Sequence, residues 1–170
     1  MPLVIDMSED TNLRKVAQGI YVGGIYAPRY ARGHFATVIN LYGHAWPASM
    51  ARTETVAEHE VATKVSIAED VTNHLVFRVL DGHPFPEGLL DAAEILVRAN
   101  RPRGVLIHCF AGISRSVSLA YAMLRVLDGA SNLEAERATC HPKYMPLAQP
   151  LVSALTWSQN RVAPTSLRDG

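Results

Sequence analysis

The chemistry that this sequence can support is concentrated in residues 108–116, which read His-Cys-Phe-Ala-Gly-Ile-Ser-Arg-Ser. Cys109 is a potential nucleophile, and Arg115 follows it by six positions. A short apolar run, residues 105–107, precedes the segment, and an apolar helical pattern follows it. A loop that curls between a strand and a helix turns successive backbone N–H groups toward one point. The layout therefore predicts a phosphate-binding cradle.

Each side chain of this loop has a role that follows from its chemistry. Converging N–H groups favour the thiolate form of Cys109, which is a strong nucleophile. The planar guanidinium of Arg115 can bind two phosphate oxygens at once. Ser116 can donate a hydrogen bond to the sulfur when it becomes a leaving group, and His108 is predicted to order the loop rather than act as a base. The predicted phosphate-binding positions are Phe110, Ala111, Gly112, Ile113, Ser114 and Arg115.

The segment resembles the signature of the protein tyrosine phosphatase superfamily, His-Cys-x5-Arg-Ser/Thr, and residues 111–116 are especially similar to the dual-specificity phosphatases. Residues 19–24 are similar to the opening strand of that family, and residues 37–41 to the strand after its first helix. His141-Pro142-Lys143 and Gln149 are similar to a segment near the end of the family's domain. The resemblance covers about Gly19 to Trp157.

The resemblance implies a phosphatase that forms a phospho-cysteine on Cys109, with no cofactor and no metal. It also implies a general acid at Asp81, which precedes Cys109 by 28 residues. Asp81 begins a loop rich in glycine and proline that can carry a carboxylate over the site. Because Asp-Gly is also a common turn, Glu87 and Asp91 stay open as alternative acids.

Two residues near Pro142, the cation Lys143 and the thiol Cys140, have roles that the sequence leaves open. The family often has an asparagine after that proline, where it braces the phosphate loop, but this chain has Lys143. We therefore expect Lys143 either to support the site by adding positive charge or to be a solvated surface residue. Cys140 either protects Cys109 through a reversible disulfide or is a half-buried thiol.

The expected substrate is phosphotyrosine in proteins, with phosphoserine and phosphothreonine next. The variable loop positions carry no lysine, which argues against inositol lipids. A phosphoinositide, an RNA 5′ end or a phosphoglycan stay open as other substrates. Two other classes also stay open: a pseudophosphatase that binds phosphorylated partners without turnover, and a sulfurtransferase or arsenate reductase.

Composition limits the partners and the location. The 16 basic residues balance 16 acidic ones, so we expect neither a nucleic acid nor a membrane as partner. We expect a monomer whose partner is a phosphorylated protein or another phosphomonoester. Two cysteines are too few for a secreted disulfide scaffold, which favours a cytoplasmic location.

Strand and helix patterns alternate along the chain, which predicts one α/β domain with a mostly parallel sheet of four to five strands flanked by helices. We predict a single domain over residues 1–170, with a core of about 19–160 and terminal segments 1–14 and 162–170. Predicted strands cover residues 18–24, 37–42, 62–67, 75–80 and 105–107. Predicted helices cover residues 27–33, 47–59, 87–100, 147–159, the segment after the loop up to Gly129, and a segment that opens with the capping box at Ser131.

Overall fold

A computed structural model of the chain describes residues 12–25, 27–30, 35–42, 73–77 and 79–162. Its five strands form one sheet in the order β1-β2-β5-β3-β4, in which only β1 runs antiparallel to its neighbour. The strands are β1 (Arg14–Ala17), β2 (Ile20–Gly23), β3 (Thr37–Asn40), β4 (Asn73–Val76) and β5 (Val105–His108). The predicted α/β domain with a mostly parallel sheet is confirmed.

Four α-helices lie within the described residues. They are α1 (Leu89–Asn100), α2 (Arg115–Leu127), α3 (Asn132–Thr139) and α4 (Ala148–Arg161). The apolar helix α2 lies at the centre of the packing, because it contacts the other three helices as well as β2 and β5. None of these helices is both long and apolar enough to cross a membrane, a statement that covers the described residues alone.

The central strand β5 is buried along its whole length, as its continuous apolar sequence predicts. Val105 and Ile107 join the core cluster that includes the helices, whereas Leu106 alternates to the opposite face and is also fully buried. The sheet is therefore covered on both sides. Ligands of such sheets bind beyond the carboxyl ends of the strands, and the loop that follows β5 lies at that edge.

Helix α3 begins as predicted from its first residues. The Ser131 side chain accepts a hydrogen bond from the Glu134 N–H, and the Glu134 side chain accepts one from the Ser131 N–H. These reciprocal bonds satisfy backbone donors that the first turn of a helix leaves open.

Several predicted boundaries are corrected by the structure. Helix α1 begins at Leu89 rather than at residue 87, because Gly88 takes a left-handed conformation with φ of 81°. The strand predicted over residues 75–80 is found at Asn73–Val76, because its parallel pairing ends where β3 ends at Asn40. The predicted helix over residues 27–33 is a 3₁₀ turn, Ala27–Tyr30, in its described part. The elements predicted over residues 47–59 and 62–67 lie outside the described residues.

The strand β1 was not predicted. Its sequence, Arg-Lys-Val-Ala, is short and half polar, and it pairs only at the edge of the sheet. It lies before residue 19, where the predicted core begins. The sheet therefore includes a segment that lies outside the predicted core of about 19–160.

Candidate active site

The candidate site begins where β5 ends. The Cys109 N–H donates to the Gly23 carbonyl at 3.3 Å, and the Leu41 N–H donates to the His108 carbonyl at 2.8 Å. The ends of the two neighbouring strands thus hold the start of the loop on both sides. The loop then runs over residues 109–114 into the first turn of α2.

Gly112 is required in this loop for two reasons. Its φ of 73° lies in the left-handed region that side chains resist. A Cβ atom at this position would lie 2.7 Å from the Gly23 carbonyl carbon and 2.8 Å from the Gly24 nitrogen. Loop 109–114 therefore packs backbone against backbone on Gly23 and Gly24 at the end of β2, which explains why a glycine is needed at position 112.

Three successive carbonyl groups of the loop are held on its outer side. The Phe110 carbonyl accepts from the Ile25 N–H at 2.8 Å. The Ala111 carbonyl accepts from Asn12 Nδ2 at 2.6 Å, and the Gly112 carbonyl accepts from Arg14 Nη1 at 3.2 Å. In a trans peptide the carbonyl and the following N–H point in opposite directions. The N–H groups of residues 111–113 are consequently directed to the inner side.

The sulfur of Cys109 lies at the inner side of this loop. The residue is only 2% exposed, yet it lines a cavity of about 280 Å³ that opens at the loop. The Gly112 N–H donates to Sγ at 3.3 Å, and Ser116 Oγ lies 3.3 Å from Sγ. Helix α2 has no side-chain cap bond at Ser114 and no acidic residue in its first turn. The positive end of the helix is thus open toward the sulfur.

Arg115 connects this cradle to the loop of the predicted general acid. Its side chain is buried, and Nη1 donates to the Val79 carbonyl at 2.7 Å. Its Nε lies 3.4 Å from Asp81 Oδ1, which makes an ion pair but not an aligned hydrogen bond. The ring of Tyr42 lies 5.7 Å from the guanidinium carbon. Cys109, Arg115 and Asp81 therefore meet at one cavity, as the sequence predicts.

Several solved structures share the fold of this chain. A mouse putative dual specificity phosphatase, solved with zinc tungstate, matches with a TM-score of 0.64 and 19% identity, over 94% of this chain and 93% of its own. Human DUSP28 matches with a TM-score of 0.62 and 19% identity, over 87% and 93% of the two chains. The human tyrosine phosphatase-like serine/threonine/tyrosine-interacting protein matches with a TM-score of 0.64 and 15% identity, over 89% of this chain and 98% of its own. This chain has the dual-specificity phosphatase fold.

The likeness to dual-specificity phosphatases is one of fold, since no model of a known protein family and no curated protein matches the sequence. The resemblance that residues 108–116 indicated is confirmed at this level. Function has to be argued from the site itself, because one fold supports many activities.

The alternative acids are placed away from the cradle of this dual-specificity phosphatase fold. Glu87 and Asp91 line a separate groove between the start of α1 and α4. The carboxylate of Asp91 accepts a hydrogen bond from Trp157 Nε1 at 3.0 Å and also contacts Arg161. The Asp81 side chain is 59% exposed at the mouth of the cavity. Of the three candidates, Asp81 is the one that lines the cavity with Cys109.

The segment after the late proline forms one wall of the cavity. Tyr144, Met145 and Leu147 are exposed and line it, and the Leu147 N–H donates to Ser114 Oγ at 2.9 Å. The Ser114 hydroxyl therefore anchors this wall to loop 109–114. Lys143 is exposed and does not line the cavity, and its backbone N–H donates to His141 Nδ1 at 3.0 Å.

Three residues of the site had no signal in the sequence. Tyr42 faces Arg115, and its ring lies 5.4 Å from that of Phe110. Asn12 and Arg14 bind the loop from a point almost a hundred residues away in the chain. A single aromatic or polar residue outside a recognisable motif cannot be assigned to a site from its type alone.

Cys140 is a free, partly buried thiol near the end of α3. Burial raises its pKa, and the charge of Glu136 raises it further. These influences oppose formation of its thiolate at neutral pH, so its nucleophilicity is reduced.

His108 lies beneath the loop and is almost completely buried. Its Nδ1 lies 3.3 Å from the Cys109 carbonyl oxygen. Burial lowers the pKa of His108 to about 4, the hydrogen bond to Cys109 opposes this shift, and the positive charge of Arg115 adds to it. The imidazole is therefore neutral at pH 7, which fits a residue that orders the loop.

The buried imidazole makes stability depend on pH. Below about pH 6.5 the unfolded chain binds a proton on His108 that the native protein does not bind until about pH 4. The free energy of unfolding is thus expected to fall across this window as pH decreases, by up to about 3 kcal/mol from this residue. Urea unfolding at pH 7 and pH 4.5 measures how much the free energy of unfolding changes between these pH values, in the wild type and in His108→Gln.

A matched control is His83→Gln, because His83 is exposed in the loop that begins at Asp81. We expect His83→Gln to keep the pH dependence of the wild type and His108→Gln to reduce it. Equal pH dependence in wild type and His108→Gln would show that the buried imidazole does not titrate as described.

Proposed function

We propose that this protein is a cysteine-dependent phosphatase that hydrolyses phosphate monoesters through a phospho-cysteine on Cys109. One observation carries the proposal: the Cys109 sulfur, the inward N–H groups of the loop and the Arg115 guanidinium converge on one open cavity. Preorganised donors around a transferring phosphoryl group stabilise its charge, which is the main requirement of phosphoryl transfer.

In the first step the Cys109 thiolate attacks phosphorus while the bond to the ester oxygen breaks. Asp81, at the mouth of the cavity, takes part in its protonated form rather than in the ion pair with Arg115. It gives that proton to the departing oxygen, because an alkoxide or phenolate leaves poorly without one. Arg115 binds the equatorial oxygens with its planar fork. The inward N–H groups bind the same oxygens through the transition state.

In the second step water attacks the phospho-cysteine and the bond between sulfur and phosphorus breaks. The Asp81 carboxylate formed in the first step takes a proton from that water. The sulfur leaves as a thiolate, with the Ser116 hydroxyl 3.3 Å away as its hydrogen-bond donor. Phosphate is released and both residues regain their initial protonation states.

The walls of the cavity favour an aryl phosphate, and hence phosphotyrosine in proteins. Exposed Phe110, Tyr144, Met145 and Leu147 surround the opening, so an aromatic ring above the phosphate would contact apolar surface. Among the described residues that line this cavity, Arg115 is the single cation. A multiply phosphorylated inositol or an RNA end would need further cations for its additional charges.

Hydrolysis of aryl phosphates by wild type and Asp81→Asn tests both the function and the acid. Phenyl phosphate has a poor leaving group and p-nitrophenyl phosphate a good one, so loss of the acid is expected to slow the first substrate by about 10²–10⁴-fold and the second far less. Turnover should persist in EDTA. The matched control is Glu87→Gln, which removes a carboxylate from the separate groove and is expected to leave both rates unchanged.

Equal losses on both substrates in Asp81→Asn would assign the acid to another residue. A wild-type protein that binds phosphotyrosine peptides but does not hydrolyse them would be a binding module, and EDTA-sensitive turnover would indicate a metal enzyme. Either result overturns the proposed function.

A further inference from the structure

We propose that Asn12 and Arg14 are positioning residues that hold the phosphate loop in its anion-binding conformation. The inference rests on the proposed function for its effect on turnover, whereas its effect on phosphate binding can be measured separately. Both residues lie at the start of the sheet, outside the signature segment.

Arg14 bridges the loop to the rest of the domain with its planar fork. Its Nη1 donates to the Gly112 carbonyl at 3.2 Å and to the Asn12 carbonyl at 2.9 Å. Its Nη2 donates to the Thr139 carbonyl at 2.8 Å, at the end of α3. A lysine has a single ammonium at the end of its stem and cannot reproduce bonds from two separate nitrogens.

Asn12 binds the neighbouring carbonyl through a chain of hydrogen bonds. His141 Nδ1 accepts from the Lys143 N–H, so a neutral imidazole carries its proton on Nε2, which lies 3.2 Å from Asn12 Oδ1. This contact fixes the amide with Nδ2 toward the Ala111 carbonyl. Asn12 has a φ of 46°, a left-handed conformation that asparagine tolerates better than most residues.

The two donors act on the peptides that matter for anion binding. Asn12 and Arg14 hold the carbonyls of residues 111 and 112 outward, so the N–H groups of residues 112 and 113 point inward. Without these donors either peptide could rotate and direct a carbonyl oxygen at a bound phosphate. That carbonyl would repel the anion instead of binding it.

Arg14 also adds a positive charge that interacts with the Cys109 sulfur. Burial lowers the pKa of Arg14, while the nearby Cys140 and Cys109 sulfurs raise it. An arginine stays protonated despite such shifts. Its charge therefore favours an anion on the other side of the loop.

The hydrogen bonds from Asn12 and Arg14 explain how the loop is held although position 143 is a lysine. The family resemblance implies an asparagine after the late proline as the brace of the phosphate loop, and this chain has Lys143 there. Here an asparagine reaches the loop from the other end of the chain, and the late segment supports it through His141. The same carbonyl-holding function is thus supplied from a different place.

The test compares Arg14→Met with Arg101→Met. Arg101 is a matched control because its Nε donates to the Gln18 carbonyl at 2.8 Å and its Nη1 pairs with Asp128 at 2.5 Å, away from the phosphate loop. The measurements are the affinity for inorganic phosphate, kcat and KM for p-nitrophenyl phosphate, and Tm. Both variants are expected to lower Tm.

Arg14→Met alone is expected to weaken phosphate binding about tenfold and to reduce kcat/KM about tenfold to a hundredfold. Arg14→Lys should recover part of the phosphate affinity because it keeps the charge and one donor. If Arg14→Met changes Tm but keeps wild-type phosphate affinity and kcat/KM, as expected for Arg101→Met, its role is structural and the proposal is wrong.

Asn12→Asp gives a second variant that keeps the left-handed conformation and the acceptor for His141 but replaces the donor to Ala111 by an anion. It is expected to weaken phosphate binding at least as much as Arg14→Met, and unchanged phosphate binding would contradict the proposal. Should the wild type bind phosphate without hydrolysing aryl phosphates, the proposed function fails. The phosphate affinities of the variants then still decide whether the two residues position the loop.

Discussion

Replacing Cys109 by serine is expected to reduce phosphatase turnover by at least about 10⁴-fold, because a neutral hydroxyl cannot replace the thiolate as nucleophile. The side chain keeps nearly the same shape, and the inward N–H groups of the loop stay in place. Inorganic phosphate should therefore still bind. The measurement is initial rates on p-nitrophenyl phosphate and on a phosphotyrosine peptide, together with phosphate affinity by calorimetry.

Cys140→Ser is the matched control, because it makes the same substitution at the other free cysteine. We expect it to keep the wild-type rate. A Cys109→Ser protein with substantial turnover would mean that water attacks the ester directly and that no phospho-cysteine forms. Loss of activity in Cys140→Ser would instead require a second thiol in the reaction.

Arg115→Lys is expected to reduce kcat/KM by about 10³-fold or more, the effect found when a transition-state arginine is lost from phosphoryl-transfer enzymes. An ammonium cannot bind two equatorial oxygens in one plane. In the native protein, Arg115 Nη1 donates to the Val79 carbonyl at 2.7 Å while the guanidinium pairs with Asp81. A lysine cannot make both contacts with the same geometry. The substitution thus affects both phosphate binding and the position of the acid, which rates on substrates with good and poor leaving groups can separate.

The control for this change is Arg125→Lys on the same helix. Arg125 also binds a backbone carbonyl, that of Ala130, at 2.6 Å, but it lies in the last turn of α2 and away from the cavity. We expect a loss of stability and a normal kcat/KM. Near-wild-type activity in Arg115→Lys would contradict the two-oxygen contact that the mechanism requires.

The local geometry of loop 109–114 could be predicted because its parts are contiguous. Cys109, the tight turn at Gly112 and Arg115 follow one another between a buried strand and an apolar helix, so local patterns contain the geometry. Asp81 could be placed through its loop and its distance from Cys109 in the chain. What the fold adds is that the Val79 carbonyl and Asp81 both contact Arg115.

The roles of Asn12 and Arg14 and the position of β1 depend on tertiary contacts, which no local sequence pattern indicates. Asn12 and Ala111 are 99 positions apart, and Arg14 and Thr139 are 125 apart. Four residues with two charges at the edge of a sheet give little periodicity, which is why β1 had no clear signal. The start of α1 was misplaced by the backbone conformation of one glycine, Gly88, and not by its apolar pattern.

The positions of Arg14 and Asn12 determine how far the amino-terminal end can be shortened without loss of contacts to the loop. A fragment that starts at Gly19 would keep the four parallel strands and the helices packed on them. It would also discard every side-chain donor that the structure places on the Ala111 and Gly112 carbonyls. A truncation chosen from the packing of the parallel strands alone would therefore remove the side chains that hold loop 109–114, and we expect its affinity for phosphate to fall.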